Sequence, residues 1–227
     1  SGPKRSAADA GGKRLVERPV DADADYDRLM EHLRGWIEEQ IEGHVLAVAG
    51  HRIVHGGRDN VAPALLDEPL RQDLARLVPL APLHQPHNLA AVEALARLHP
   101  GLPQVACFDT AFHARKPEVE SVYAIPRELT EAGIRRYGFH GLSYEHIASR
   151  LPDVLGERAY GRVIVAHLGS GASLCAVREG RSLATTMGFT ALDGLPMGTR
   201  SGQIDPGVLL YLMAEKGMGP EKLSRLL

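Results

Sequence analysis

Apolar positions between residues 26 and 41 recur at helical spacing. Tyr26, Leu29, Met30, Leu33, Trp36, Ile37 and Ile41 share one face, with Asp25 available as N-cap and Gly43 as the stop, which predicts a helix over Tyr26 to Ile41. Val45 to Val54 reads as a strand that ends in His55-Gly56-Gly57. Asp67 to Val78 reads as a short helix, with Pro69 in its first turn and Leu70, Leu74 and Leu77 on one side. A stiff loop over residues 80–86 leads into a helix from about His87 to Leu98, and the strand Gln104 to Phe108 delivers Asp109 at its C-terminal end. The polar stretch Ser1 to Asp25 is expected to be a loop or a frayed edge.

Further along, Phe112 to Arg136 mixes proline turns with a short helix near Arg127–Ala132. Ser143 is expected to cap a helix running to Arg150, with Pro152 just beyond its end. The β-branched run Val163-Ile164-Val165 breaks at Gly169-Ser170-Gly171 and resumes as Ser173 to Val177; after the turn Arg178-Glu179-Gly180, a third run covers Arg181 to Thr186. Met187 to Ile204 holds glycines 188, 194, 198 and 202 with little periodicity, and a loop of that length in a compact domain is usually functional or disordered. Asp205-Pro206 opens a helix that Gly217 ends, and Glu221 to Leu227 begins another. Strands alternating with helices imply an α/β layout with parallel pairing. Asp109 then sits where ligands of open α/β sheets gather, at the carboxyl end of a strand.

Composition narrows the partners. A net charge of -2 carries no nucleic-acid or membrane signature, and 44% hydrophobic residues suffice for a core. Cys107 and Cys175 lie inside apolar strand-like runs and read as small core residues of a reducing compartment. With no long apolar run and no visible signal peptide, the expected location is cytoplasmic.

Eleven histidines invite a metal reading. His51/His55 and His84/His87 have ligand-like spacing, but no H-E-x-x-H motif and no Cys pair accompanies them. If both lay on one strand, His51 and His55 would share a face two repeats apart, too far for easy chelation. No metal site is expected within the chain. His55-Gly56-Gly57 resembles a lipase oxyanion loop, yet no G-x-S-x-G elbow exists, and Walker A and protein-kinase signatures are missing too.

The glycines at 169 and 171 would permit positive φ and let backbone N–H groups approach an anion, with Ser170, Ser173 and His167 at the rim. An ordinary β-meander with a tight turn fits that stretch equally well. Arg52, Asp109, His140 and Arg200 each lie beside glycine or at a strand end in apolar surroundings, which points toward a phosphorylated or carboxylate ligand.

Six segments then occur in order: His51 to Gly57, Leu80 to His84, Phe108 to His113, Tyr137 to Gly141, Ala166 to Ser173 and Met197 to Gly202. Together they resemble the acetate kinase family, within the acetate kinase, sugar kinase and actin superfamily. The resemblance implies an α/β fold of the ribonuclease H-like/actin-like ATPase type, with parts of two related domains, 1–110 and 111–227, hinged near Thr110. It also implies reversible transfer of the γ-phosphoryl of ATP to acetate, giving acetyl phosphate and ADP, with Mg²⁺ and in a homodimer. Arg52 and Arg200 would grip carboxylate and phosphoryl, Asp109 would orient the acetate and handle the proton, and His140 would donate to the phosphoryl oxygens. Val54, Leu83 and Phe139 match the methyl pocket, and His167, Leu168, Gly169, Ser170 and Gly171 match part of the nucleotide-phosphate cradle.

The chain departs from the family pattern at two positions. Ser170 stands where the family usually has Asn, and Ala191 where it has Pro in the pocket. The family's first strand with its Asn-Ala-Gly-Ser-Ser turn, its adenine-binding part and a metal-binding glutamate have no counterpart here. The chain is therefore expected to be a central fragment, inactive alone, with the Mg²⁺ ligands outside it. A degenerate copy that binds without turnover, or a propionate or butyrate kinase, are the alternatives.

Overall fold

The computed structural model describes residues 4–8, 11–19, 28, 31–32, 35–36, 39 and 45–227. They fall into two compact units, Ser1–Ala47 with Ala91–Leu102, and Val48–Ala90 with Pro103–Leu227.

In the smaller unit, strands β1 (Lys4–Ala8) and β2 (Arg14–Pro19) form an antiparallel hairpin, Lys4 opposite Pro19 and Arg5 opposite Arg18. The loop expected over Ser1 to Asp25 is thus corrected. Its polarity hid a two-stranded ribbon, which satisfies its backbone groups across the pair without needing an apolar face. The helix expected over Tyr26 to Ile41 lies largely outside the described residues; Arg28, Glu31, His32, Gly35, Trp36 and Glu39 are helical.

The larger unit contains two sheets. The first has the order β3 (Ala49–Ile53), β5 (Gln104–Phe108), β4 (Ala64–Leu65). β3 and β5 are parallel, as the alternation of elements predicts, while the short β4 is antiparallel to β5 and left no sequence signal. β3 is shorter than the expected Val45–Val54, because its ladder matches the five residues of β5, from Ala49 opposite Gln104 to Ile53 opposite Phe108. His51 and His55 therefore do not share a strand face: β3 ends at Ile53, and His55 is fully buried beyond it.

Helix α1 (Glu68–Arg76) is capped by Asp67, whose Oδ1 accepts from Leu70 N at 2.9 Å. Helix α2 spans Gln85–Leu98, with residues 85–90 in the larger unit and 91–98 in the smaller. Its start anchors the end of β3. Gln85 Nε2 donates to His55 O at 3.1 Å and Leu74 O at 3.2 Å, its Oε1 accepts from His55 N, and Asn88 Oδ1 accepts from Val54 N at 2.9 Å.

After the short α3 (Arg127–Glu131), helix α4 covers Gly141–Leu155. It starts before Ser143 and passes through Pro152, so both expected boundaries move outward. His140 occupies the N-cap position in a left-handed conformation (φ 60°, ψ 20°), and Pro152 lies inside the helix, in its last turn. The second sheet is the meander β6 (Arg162–Leu168), β7 (Ala172–Arg178), β8 (Arg181–Thr185), antiparallel throughout. Tyr144 of α4 packs with Val165, Cys175 and Val177 into one apolar cluster. Helices α5 (Pro206–Lys216, capped by Asp205 and closed by Gly217) and α6 (Pro220–Leu226) complete the chain.

Candidate functional site

Arg52 and Asp109 leave the C-terminal ends of two parallel neighbours. Asp109 N–H donates to Ile53 O at 3.0 Å, continuing the β3–β5 ladder by one bond and fixing the backbone beneath the carboxylate. The carboxylate is buried and held from one side by Arg52. Arg52 Nε lies 3.2 and 3.0 Å from Oδ1 and Oδ2, and Nη2 lies 2.5 Å from Oδ2. The hydrogen bond to Asp109 raises the Arg52 pKa against partial burial, so the guanidinium stays charged.

The start of α4 docks on the same strand end. Gly141 N–H donates to Asp109 O at 2.8 Å, and a Cβ on Gly141 would lie 2.1 Å from that oxygen. His140 is thereby set beside Asp109 in the chain's path. Its Nδ1 lies 2.8 Å from Ser173 Oγ, which lies 2.5 Å from Tyr144 Oη. The ring stacks on His167 with centroids 4.0 Å apart, and His167 Nδ1 reaches Ser143 Oγ at 3.0 Å. Burial, then His167, Arg52 and Arg200, push the His140 pKa down to about 4, so the ring is neutral at neutral pH. Ser173 Oγ thus bridges Tyr144 Oη and His140 Nδ1; with Tyr144 donating to Ser173 and Ser173 to Nδ1, the His140 proton would sit on Nε2.

That nitrogen faces the β6–β7 turn. A Cβ on Gly171 would stand 3.0 Å from His140 Nε2, a tight contact, and 3.6 Å from Arg200 Nη1, an ordinary one. The freedom for positive φ at 169 and 171 goes unused, since neither glycine has a positive φ. The turn closes instead through Gly169 N–H to Gly171 O at 3.0 Å.

Arg200 comes from the glycine-rich loop, which is well tied. Tyr137 N–H and Gly138 N–H donate to Gly188 O, Phe189 N–H to Tyr123 Oη, and Gln203 N–H to Gly194 O. Arg200 Nη1 donates to Ala191 O at 3.1 Å, which fixes the guanidinium direction.

Val54 and Phe139 meet in one buried cluster with Ala81, Tyr137 and Met187, against which Ala191 and Met197 pack. Leu83 is not a member; it is 74% exposed. His167 is half-buried, while Leu168, Gly169 and Ser170 are exposed. Arg52, Asp109, His140, Gly171 and Arg200 are therefore brought together, Val54 and Phe139 form an apolar wall, and Leu83 stands apart. Tyr144, which with Ser173 orients His140, was missed as a functional candidate, and Ser173 was named only for the rim of the anion turn. His84 was missed too; its pKa is lowered by burial, then by Arg200 and Arg52. Its spacing to His87 and its place in a quoted motif were the hints.

The sequence profile of the Acetokinase family matches residues 9–227. The chain belongs to that family. An acetate kinase of Rhodopseudomonas palustris is 60% identical over 203 residues, covering 89% of this chain and 51% of that protein. An acetate kinase of Nitrobacter hamburgensis is 54% identical over 224 residues, covering 98% and 55%. Among solved structures, a propionate kinase from Francisella tularensis superposes with TM-score 0.87 at 37% identity, over 93% of this chain and 55% of that one. Acetate kinase of Porphyromonas gingivalis gives 0.81 at 35%, over 99% and 58%. The chain spans about half the length of these relatives. The α/β fold is accordingly that of the actin-like ATPases, as the six motifs of this acetokinase-family chain imply.

Among the described residues, no group of three or more His, Cys, Asp or Glu could hold a metal ion, and no helix is long and apolar enough to cross a membrane.

Burial also depresses His55 and His113 to about 4. Both are fully buried; His55 accepts from Gly57 N at Nδ1, and His113 bridges Ser182 Oγ and Phe139 O. Because the folded pKa lies below the unfolded 6.5, the unfolded chain binds more protons between the two values. Stability from these rings is complete above pH 6.5 and is lost as pH falls toward 4, by up to roughly 1.4 kcal/mol per pH unit for each. Urea midpoints should fall from about pH 7 to about pH 5; a flat profile would mean that neither ring stays neutral.

Proposed function

We propose that the whole protein is an acetate kinase, which moves the γ-phosphoryl group of ATP reversibly onto acetate. The carrying observation is the convergence of Arg200 Nη1 and the His140 Nε2 edge on Gly171, beside the Arg52–Asp109 pair. This arrangement suits phosphoryl transfer, which asks the protein mainly for alignment and for cations around the equatorial oxygens.

In this reading a carboxylate oxygen of acetate attacks the γ-phosphorus, the new O–P bond forms as the bond to ADP breaks, and the electron pair leaves on the β-phosphate. Arg52 and Arg200 hold the carboxylate and the transferring group, and His140 Nε2–H donates to a phosphoryl oxygen. Asp109 keeps Arg52 aimed and orients the acetate, handling a proton on its carboxyl group when one is present. The apolar wall of Val54 and Phe139, with Leu83 from its exposed position, lies toward the methyl group. His167 to Gly171 form part of the phosphate cradle. The reading includes Mg²⁺ carried with the nucleotide. It also includes a hinge near Thr110 between domains 1–110 and 111–227, a homodimer and a cytoplasmic location. Soluble ATP and acetate as substrates, and the family resemblance, support these.

A propionate-directed activity has one observation in its favour. Ala191 is small and packs on the Val54–Phe139 cluster, and one similar structure is a propionate kinase. Measuring acyl phosphate as hydroxamate, with ATP and either acid, tests both readings. Acetate should be preferred; preference for propionate would favour the second, and no turnover by the whole protein with either acid would refute both. Arg52→Ala and Arg200→Ala should each cost roughly 1.5–3 kcal/mol of transition-state binding, read as about 10–100-fold in kcat/KM. Near-normal kinetics would remove that arginine from the site.

A further inference from the structure

A second cleft of the larger unit, in whose lining Asp109, His140 and Arg200 take no part, is formed by Gly57, Arg58, Thr110, His113, Ala114, Lys116, Arg135, Arg136 and Tyr137. Four of these are cations and none is acidic. We propose that this cleft binds a small tetrahedral oxyanion of the phosphate class. The reading is independent of the proposed activity.

Lys116 makes the floor. It is only 8% exposed, and its Nζ donates to Arg136 O at 2.7 Å and Tyr137 O at 3.3 Å. An ammonium has three protons, so one is left without a partner among the described residues, on a side chain that lines the cleft. Arg135 lines it too, half-buried, and makes no ion pair or hydrogen bond among the described residues. Arg58 is held from outside by Glu131 O at 3.0 Å, and Arg136 by Asp193 at 3.6 Å and the Tyr123 ring. These contacts fix the two guanidinium groups; Asp193 offsets the charge of Arg136 and Glu120 acts on Lys116, both from outside the lining, which leaves Arg58 and Arg135 without an acidic group in the cleft. Thr110 Oγ1 accepts from Gly56 N at 3.1 Å and keeps its own proton to donate.

Like charges held together in a partly buried place are costly unless a counter-charge joins them. Burial and Arg135 push the Lys116 pKa down to about 8, and a bound dianion would reverse that pressure. The space, about 50 Å³, suits a bare anion.

The test is calorimetric titration of inorganic phosphate into the full chain and its variants. Phosphate should bind the parent, and Arg135→Gln and Lys116→Met should each weaken that binding roughly 10–100-fold, as expected for loss of a charged hydrogen bond. Arg200→Gln, which alters the candidate active site, should retain it. Arg135 has no partner to lose, so its variant is expected to fold, checked by circular dichroism, and it decides the matter if Lys116→Met does not. Binding that disappears in Arg200→Gln and survives in Arg135→Gln, or no binding to the parent, would overturn the proposal.

Discussion

Asp109→Asn is expected to fold normally and to lose turnover by roughly a hundredfold or more. The substitution is nearly isosteric, so the backbone bond from Asp109 N–H to Ile53 O and the acceptance of Gly141 N–H by Asp109 O should survive. What disappears is the charge. Arg52 currently finds both carboxylate oxygens with Nε and Nη2. An amide offers one acceptor and two donors, and those donors would face a guanidinium that can only donate. Arg52 must then turn away, and the carboxylate that orients the acetate is gone at the same time. The two losses arise from one contact, so Arg52→Ala combined with Asp109→Asn should cost less than the sum of the single effects. Steady-state kinetics with matched melting curves check this. Retention of half the parent rate would show that the Asp109 charge is not catalytic.

Gly141→Ala is expected to destabilise the chain by about 3 kcal/mol or more and to abolish activity with it. Alanine in a helix ordinarily stabilises relative to glycine, by about 0.5–1 kcal/mol, so the expected sign is reversed. The reason is local. The added Cβ would lie 2.1 Å from Asp109 O and 3.1 Å from Phe112 Cβ, and the first contact is with backbone that cannot swing aside. Relief requires α4 to draw back from the end of β5. That movement would carry His140 off Ser173 and Asp109 away from Arg52. Gly207→Ala is the control, since its Cβ would meet only the Asp205 carboxylate at 3.2 Å. Urea unfolding should separate the two variants clearly; equal midpoints would mean that the strand end and the helix start are not rigidly coupled.

Local chemistry accounts for what was legible in the linear chain. Asp67 with Pro69, and Asp205 with Pro206 and Gly217, mark α1 and α5 because capping is decided within one turn. Gln104 to Phe108 and the three strands of the meander are legible because apolar β-branched runs and tight turns are short-range signals. The order of six motifs likewise identified the family and named Arg52, Asp109, His140 and Arg200 as candidates. Tertiary structure alone decided the rest. The hairpin at Lys4–Pro19 and the strand Ala64–Leu65 exist through pairing with a partner, and their own patterns are too short or too polar to announce them. Which candidates meet depends on contacts distant in sequence: Arg52 reaches Asp109 across 57 residues, and Ser173 reaches His140 across 33. Leu83 points to solvent while Val54 and Phe139 are buried, although all three looked equally apolar. A side chain at Gly171 would press on the His140 ring, a constraint that resides in another segment of the chain. Residue type and spacing report on the turn a residue belongs to; side chains meet only when those turns are packed against one another.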